Sequence, residues 1–221
     1  GVDIDLGAVE IAKLRLWLSL IVDEEDIKQI KPLPNLDYKI VQGNSLLSVQ
    51  KDLFNQQLFT KLEELKPLFF NENNASKKRE YKSQIDELIR KITNNNQNFD
   101  FEIYFSEVFH DKKGFDVVIA NPPYLSHDKI KEKKLIAERF KVYEPFADLY
   151  CYFLEIAINI QNPRGVLCYI TSNSYLKAEY GKPLRKFILE RNYILSIINI
   201  EDFQVFNTAI VNTAVLIAQH Q

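Results

Sequence analysis

Methionine is absent from this sequence of 221 residues, even at position 1. Cysteine occurs only as Cys151 and Cys168, which are too few for a disulfide scaffold or a zinc site. No apolar run approaches the roughly 18 residues of a membrane-spanning helix, and the first residues lack the features of a signal peptide. These absences argue against a membrane protein and a disulfide-rich secreted domain. A cytoplasmic location is therefore expected.

Net charge is also nearly absent, with 28 Lys and Arg against 30 Asp and Glu. This balance excludes a histone-like polycation, although a local basic patch remains compatible with nucleic-acid binding. Glycine is scarce, and none of the six glycines are spaced as Gly-x-Gly. Hydrophobic residues make up 46% of the chain, which suits one full-sized domain with a sizeable core.

Strand and helix patterns alternate along most of the chain and predict an α/β fold with a mostly parallel sheet. The last strand follows its predecessor closely enough to form an antiparallel pair with it. The predicted strands are residues 1–5, 38–42, 115–120, 165–170, 193–200 and 211–218, of which the first and third are expected to be buried. The predicted helices are residues 8–22, 146–160 and 180–190.

Residues 48–113 interrupt this alternation, because the segment is rich in Lys, Glu, Asn and Gln. The spacing of Ile85, Leu88, Ile89 and Ile92 favours at least one amphipathic helix over a long disordered loop. We therefore expect a helical insertion in the main fold.

Asn121-Pro122-Pro123-Tyr124 directly follows an apolar strand, where ligands bind in α/β folds. An amino nitrogen on a base or an amide is a poor nucleophile because its lone pair is delocalised. The Asn121 side-chain oxygen and the Pro122 carbonyl are two acceptors that can favour its pyramidal form. Proline stiffens the loop, and Tyr124 offers a flat face to a planar group. The alternative is a tight turn with Tyr124 in the core.

This motif resembles the catalytic motif of class I S-adenosylmethionine-dependent amino-methyltransferases. With the run from Gly1 to Leu16, it is most similar to adenine-N6 DNA methyltransferases, in particular the methylase portion of type IIG-like bacterial restriction–modification proteins. The resemblance implies a Rossmann-like sandwich whose mostly parallel sheet ends in an antiparallel pair. It also implies methyl transfer from S-adenosylmethionine to N6 of a flipped adenine in double-stranded DNA, without a metal.

The resemblance also assigns the cofactor-binding residues. Asp3 would bind the ribose hydroxyls and Ile4 would lie against the adenine, with Asp5 the better candidate for a helix cap. Asn44 would contact the adenine amino group, although a strand-ending turn explains it nearly as well. Asp148 would line the cofactor pocket, or would be merely an acid in the first turn of a helix.

Three further residues are candidates for DNA binding. Phe206 resembles the aromatic residue that contacts a flipped base, and a core phenylalanine is an equal alternative. Lys129 and Lys131 lie in a basic loop after the motif and could contact phosphates, while a solvated helix face explains them at least as well. His110 and His127 are given no role.

One departure concerns the family's glycine-rich cofactor motif, which this chain lacks. The expectation is that the first strand and this motif lie upstream of Gly1, and that residues 1–221 are a partial catalytic domain. Upstream and downstream parts of the same polypeptide would then be its partners. The chain alone would bind the cofactor poorly and turn over little.

Two alternatives remain open. The same motif occurs in enzymes that methylate a glutamine amide of a protein or an RNA base, since these acceptors share a planar, weakly nucleophilic nitrogen. The second is a non-catalytic module that serves as a DNA-binding or assembly scaffold, which the missing glycine-rich motif would favour.

Overall fold

The computed structural model describes residues 1–22, 36–47, 53–94, 98–200 and 212–221. These residues form two compact units, Gly1–His110 and Asp111–Gln221. Each unit has its own sheet and helices. No helix within the described ranges is long and apolar enough to cross a membrane.

The first unit begins with the strand–helix–strand arrangement that the sequence predicts. Strand β1 pairs in parallel with β2, with Val2 opposite Val41. The helices that follow β2 fall in the segment expected to be helical, although its status as an insertion stays a prediction. The elements are β1 (Val2–Asp3), α1 (Leu6–Ile21), β2 (Val41–Gln42), α2 (Leu53–Asn71), α3 (Ala75–Ile92), α4 (Phe101–Tyr104) and α5 (Ser106–Lys112).

Helix α1 begins two residues earlier than predicted, and Asp5 caps it. The Asp5 carboxylate accepts a hydrogen bond from the backbone N–H of Ala8 at 2.8 Å. This contact satisfies a donor that the first turn leaves without a helical partner, and it confirms Asp5 as the capping residue. The apolar stripe of α1 is largely exposed, with Ile11 and Leu14 about half accessible while Val9 is buried.

The pair α2 and α3 carries the main apolar core of this unit. Helix α3 buries the four residues whose spacing predicted an amphipathic helix, so that prediction is confirmed. Its N-terminus is capped by Asn74, whose side chain accepts hydrogen bonds from two backbone N–H groups. The α2 side of the core consists of Leu62, Leu65 and Phe69.

Lys66 of α2 is fully buried, which is rare for a lysine unless its charge is paired. Its ammonium donates to the backbone carbonyls of Ile103, at 3.0 Å, and Tyr104, and to the Glu107 carboxylate at 3.2 Å. Glu107 also pairs with Lys39 at 2.9 Å. Burial lowers the pKa of Lys66 to about 8, although Glu107 opposes the shift. The lysine thereby connects α2 to the end of α4 and to α5.

Gly43 follows β2 and lies against the ring of Phe99. A Cβ added at this position would overlap that ring, so the contact requires glycine. The backbone N–H of Phe99 also donates to the carbonyl of Leu47 at 3.2 Å. Residues 43–47 and the segment before α4 are therefore packed together within the first unit.

The second unit is built on a four-stranded sheet in the order β3-β4-β6-β5. Strands β3 and β4 are parallel, while β6 runs antiparallel to both β4 and β5. The predicted C-terminal antiparallel pair is confirmed, as is the α/β class. The elements are β3 (Phe115–Ala120), α6 (Lys133–Arg139), α7 (Leu149–Asn159), β4 (Gln161–Ser172), α8 (Ser174–Lys177), α9 (Lys182–Arg191), β5 (Asn192–Ile200) and β6 (Thr213–His220).

The prediction that residues 115–120 form a buried strand is wrong in part. Val118 is buried, but Val117 is 57% exposed and Ile119 is 76% exposed. The reason is that successive side chains of β3 point to opposite faces of the sheet, and the described residues cover the face of Val118 but leave the face of Val117 and Ile119 open. The first predicted strand is likewise not buried, since Val2 is half-buried and Asp3 is exposed.

Replacing Lys66 with alanine is expected to lower the free energy of unfolding by about 3 kcal/mol, because it removes a buried charge from three acceptors and leaves a cavity. Urea denaturation followed by helical circular dichroism measures this loss. The control is Lys61→Ala, an exposed lysine of the same helix, for which about 0.5 kcal/mol or less is expected. Equal stability of the two variants would contradict the structural role of Lys66.

The difference between wild type and Lys66→Ala is also expected to depend on pH. The folded state releases the Lys66 proton near the lowered pKa of about 8, whereas the unfolded chain keeps it to about 10.5. Because the unfolded state then binds more protons, the free energy of unfolding of wild type should rise relative to the variant between these values. A difference in the free energy of unfolding that does not change with pH would contradict the lowered pKa of Lys66.

Candidate functional site

The motif Asn121–Tyr124 follows the carboxyl end of β3 directly and belongs to neither a helix nor a strand. Pro122 is buried and anchors the segment, while the Asn121 side chain is exposed. Tyr124 is half-buried, and burial raises the pKa of its hydroxyl. The segment therefore holds an amide group at the surface beside a partly accessible ring, which is the arrangement that binding a planar group requires.

The loop after the motif is tied to the start of α7. The carboxylate of Asp148 accepts a hydrogen bond from the backbone N–H of His127 at 2.9 Å. One residue further along, the backbone N–H of Leu149 donates to the carbonyl of Leu125 at 3.0 Å. Asp148 occupies the N-cap position of α7, yet its side chain makes no capping hydrogen bond. Its carboxylate therefore binds the loop, and the predicted cofactor role of Asp148 stays a prediction.

His127 belongs to the same cluster, although sequence reasoning gave it no role. Its Nδ1 lies 3.6 Å from the Asp148 carboxylate, and its ring meets the edge of Phe146 with centroids 5.4 Å apart. Phe146 is 66% exposed. An imidazole, a carboxylate and an accessible aromatic ring therefore lie together just after the motif.

Polar side chains also gather where β4 and β5 end. The amide of Asn173, which follows β4, donates to the amide oxygen of Asn199 at 3.0 Å. The hydroxyls of Tyr150 and Tyr180 are 3.0 Å apart. Sequence reasoning named none of Asn199, Tyr150 and Tyr180 as a site residue. A signal was present for Asn199, a polar residue near the end of an apolar strand, and for Tyr150, which lies two residues after Asp148.

The predicted cofactor residues of the first unit lie around β1 and β2. Asp3 is exposed, and its carboxylate accepts a hydrogen bond from the backbone N–H of Asp5 at 2.8 Å. The Asn44 side chain accepts one from the backbone N–H of Leu46 at 3.1 Å, which is the strand-ending turn. The turn uses one lone pair of the Asn44 side-chain oxygen, and the second lone pair can still accept from an adenine amino group. The binding roles of Asp3 and Asn44 stay predictions.

An open cavity of about 960 Å³ lies within the first unit, and both Ile4 and Asn44 line it. Ile4 is 67% exposed, so most of its apolar side chain is accessible to a ligand in the cavity. The volume matches the range of small-molecule sites, which is roughly 300–1,000 Å³. These residues therefore fit the adenosine part of a cofactor such as S-adenosylmethionine.

The proposed DNA contacts are only partly described. Lys129 and Lys131 are both exposed in the loop before α6, so they are accessible to a phosphate backbone. Phe206 lies outside the described residues. Among the residues that are described, no group of three His, Cys, Asp or Glu side chains forms a potential metal site.

Comparisons with known proteins point to a single family. The family model for the Eco57I restriction-modification methylase matches residues 1–206. The type II restriction enzyme and methyltransferase RM.Eco57I of Escherichia coli is 28% identical over 98% of this chain and 18% of its own length. The type II methyltransferase M.XhoI of Xanthomonas vasicola is 34% identical over 42% of this chain and 17% of its own length.

A candidate class I S-adenosylmethionine-dependent methyltransferase of Listeria monocytogenes has a TM-score of 0.40 and 12% identity, over 97% of this chain and 68% of that chain. The chain thus spans about a fifth of the length of the curated relatives it matches.

Asp148→Ala is expected to release the loop, because the His127 N–H loses its charged acceptor. Hydrogen exchange at the His127 amide should accelerate about tenfold or more, in line with the loss of one charge-assisted hydrogen bond. Asp148→Asn keeps an acceptor oxygen and should stay close to wild type. The Phe115 amide, which donates to Ile160 in the same unit, is the internal control. Unchanged exchange in Asp148→Ala would show that the loop is held by other contacts.

Proposed function

We propose, since the chain belongs to the Eco57I restriction-modification methylase family, that it carries the acceptor chemistry of a site-specific DNA methyltransferase. The proposed reaction moves a methyl group to N6 of a flipped adenine. The observation that carries the proposal is the exposed Asn121 amide at the carboxyl end of β3, backed by the buried Pro122 and followed by the Tyr124 ring. The type II methyltransferases among its relatives support DNA as the substrate.

The role of Asn121 follows from the chemistry of the adenine amino group. Its N6–H groups donate to the Asn121 side-chain oxygen and to the Pro122 carbonyl, two acceptors on adjacent residues. This pairing favours a tetrahedral nitrogen, whose lone pair is then localised and available for attack. The new bond would join N6 to the methyl carbon as the bond from that carbon to the sulfonium sulfur breaks, which leaves a neutral thioether, and N6 would afterwards lose one proton to solvent.

S-adenosylmethionine, when bound, supplies a methyl group on a positively charged sulfonium sulfur, whose neutral thioether product is a good leaving group. The chain's own residues would hold its adenosine part, with Asp3 at the ribose hydroxyls and with Ile4 and Asn44 at the adenine. Alignment of the acceptor nitrogen then accounts for much of the catalysis, because the displacement requires the reacting atoms to be in line. Asp148 contributes by holding the loop that follows the motif.

The DNA itself would be held by residues outside this pocket. Tyr124 stacks on the extrahelical base, and Phe206 contacts the same base from the segment before β6. Lys129 and Lys131 bind phosphates, which fixes position without reading sequence. Recognition of a particular DNA sequence, and the glycine-rich turn for the cofactor, would come from other parts of the parent polypeptide. The relatives are much longer than the part of them that matches this chain, which supports the assignment of these two tasks to other parts of the polypeptide.

The reaction is tested by incubating the parent protein with labelled S-adenosylmethionine and mixed duplex DNA. Label in N6-methyladenine, identified by mass spectrometry after digestion, is the expected result. Label in protein or RNA would keep the chemistry and change the acceptor. Absence of label in every acceptor, with DNA that samples many sequences, would favour a scaffold without catalysis.

Asn121→Ala in the parent protein is expected to abolish methyl transfer while leaving the fold intact, because an exposed polar side chain is lost and no core volume changes. Asn159→Ala is the matched control, since Asn159 is exposed at the end of α7. The control should retain wild-type activity and both variants should unfold as wild type does. Methyl transfer at the wild-type rate by Asn121→Ala would refute the mechanism.

Tyr124→Ala is expected to reduce kcat/KM for DNA by about 10- to 100-fold, the range that loss of one base–aromatic stack gives. Tyr124→Phe keeps the ring and should stay within a few-fold of wild type. The comparison separates the ring from its buried hydroxyl. Equal loss in both variants would mean that the hydroxyl, and not the aromatic face, carries the function.

A further inference from the structure

The cavity beside Ile4 and Asn44 has a second wall that the motifs do not predict. Helix α3 contributes the face that runs from Arg79 to Arg90, at the three- and four-residue spacing of one side of a helix. This helix belongs to residues 48–113, the segment for which the sequence suggests no chemical role. A cavity assigned to a cofactor is thus lined in large part by the proposed insertion.

Two contacts fix this wall in place. Lys82 of α3 pairs with the Asp37 carboxylate at 2.7 Å. The hydroxyl of Tyr38 donates to the Asp86 carboxylate. Burial and the adjacent carboxylate raise the pKa of Tyr38 well above its usual value, so the hydroxyl remains a donor at any physiological pH. Helix α3 is therefore held against the residues that lead into β2.

The two ends of α3 lie at different parts of the cavity. The backbone N–H of Asn98 donates to the carbonyl of Thr93, and that of Phe99 donates to Leu47, three residues after Asn44. These bonds connect the carboxyl end of α3 with the Asn44 side of the cavity. Arg90 is at this end, whereas Arg79 lies about 16 Å away along the helix, at 1.5 Å per residue.

The lining also indicates the class of ligand. Val41 and Ile89 are buried apolar residues of the lining, and Ile4 extends the apolar surface. The polar part carries both signs of charge in nearly equal number, with three carboxylates (Asp37, Asp86, Glu87) and four cations (Lys13, Arg79, Lys82, Arg90). A neutral purine nucleoside matches such a lining, because it has a flat apolar face with donors and acceptors at its edge and needs no excess of either charge. The lining therefore favours a nucleoside.

We propose that α3 completes the adenosine pocket and that Arg90 is its adenine-contacting residue. The proposal rests on the proposed function, because it takes Ile4 and Asn44 as the cofactor side of the same cavity. A guanidinium is planar and weakly hydrated, so it can lie against a purine ring as well as donate to its ring nitrogens. The proposed insertion would thereby be part of the cofactor site.

The test measures adenosine binding to the parent protein, which would include the glycine-rich turn, by saturation-transfer NMR, which detects millimolar affinities. Adenosine is the probe because it lacks the methionine part of the cofactor. Arg90→Ala is expected to weaken binding about tenfold, equivalent to roughly 1.4 kcal/mol. Arg90→Lys keeps the charge without the planar group and should recover only part of the affinity. Lys77→Ala, an exposed cation of α3 that does not line the cavity, should bind as wild type does.

The outcomes separate this inference from the proposed function. If Ile4→Ala loses adenosine while Arg90→Ala binds normally, the role of α3 is refuted and the cofactor side of the cavity stands. If ATP binds more tightly than adenosine, the charge reasoning is refuted, because the cavity then accepts phosphates. If wild type shows no transfer to adenosine, the cavity is not an adenosine site. Methyl transfer by the parent protein, tested through Asn121, is independent of each result.

Discussion

Strands β3 and β4 run parallel, with Val118 opposite Leu167 and Ala120 opposite Tyr169. Parallel pairing brings the carboxyl ends of both strands to one edge of the sheet, which is where α/β proteins bind ligands. The motif after Ala120 and the polar residues after β4 therefore belong to the same edge. A shift of this register by one residue would turn Val118 from the covered face to the open face and move the motif with it.

Parts of this structure could be read from the sequence because they depend on neighbours along the chain. The four buried residues of α3 follow from helical spacing, and Asp5 follows from its place before an apolar run. The site motif was visible because an uncommon four-residue sequence directly follows a strand. Each of these features requires contacts within a few residues.

The features that the sequence did not predict depend on distant contacts. Lys66 looks like a surface residue in Leu-Glu-Glu-Leu-Lys, and only the carbonyls of Ile103 and Tyr104 explain its burial. Asp148 reads as a helix acid, yet its partner is the backbone of His127, 21 residues earlier. The exposure of Ile119 could not be predicted either, because it depends on which face of the sheet other elements cover. An apolar run does not say which of its two faces will be packed.

The contact between Gly43 and Phe99 has a consequence for how such chains diverge. Residue 43 lies beside the predicted adenine-binding Asn44, and Phe99 lies near the end of the proposed insertion. In a homologue without the insertion, the ring of Phe99 would no longer occupy the space next to residue 43. A side chain could then fit there, and glycine would no longer be required. Loss or gain of the insertion should therefore be accompanied by substitution at this one position. The two segments are expected to evolve together despite the long stretch of chain between them.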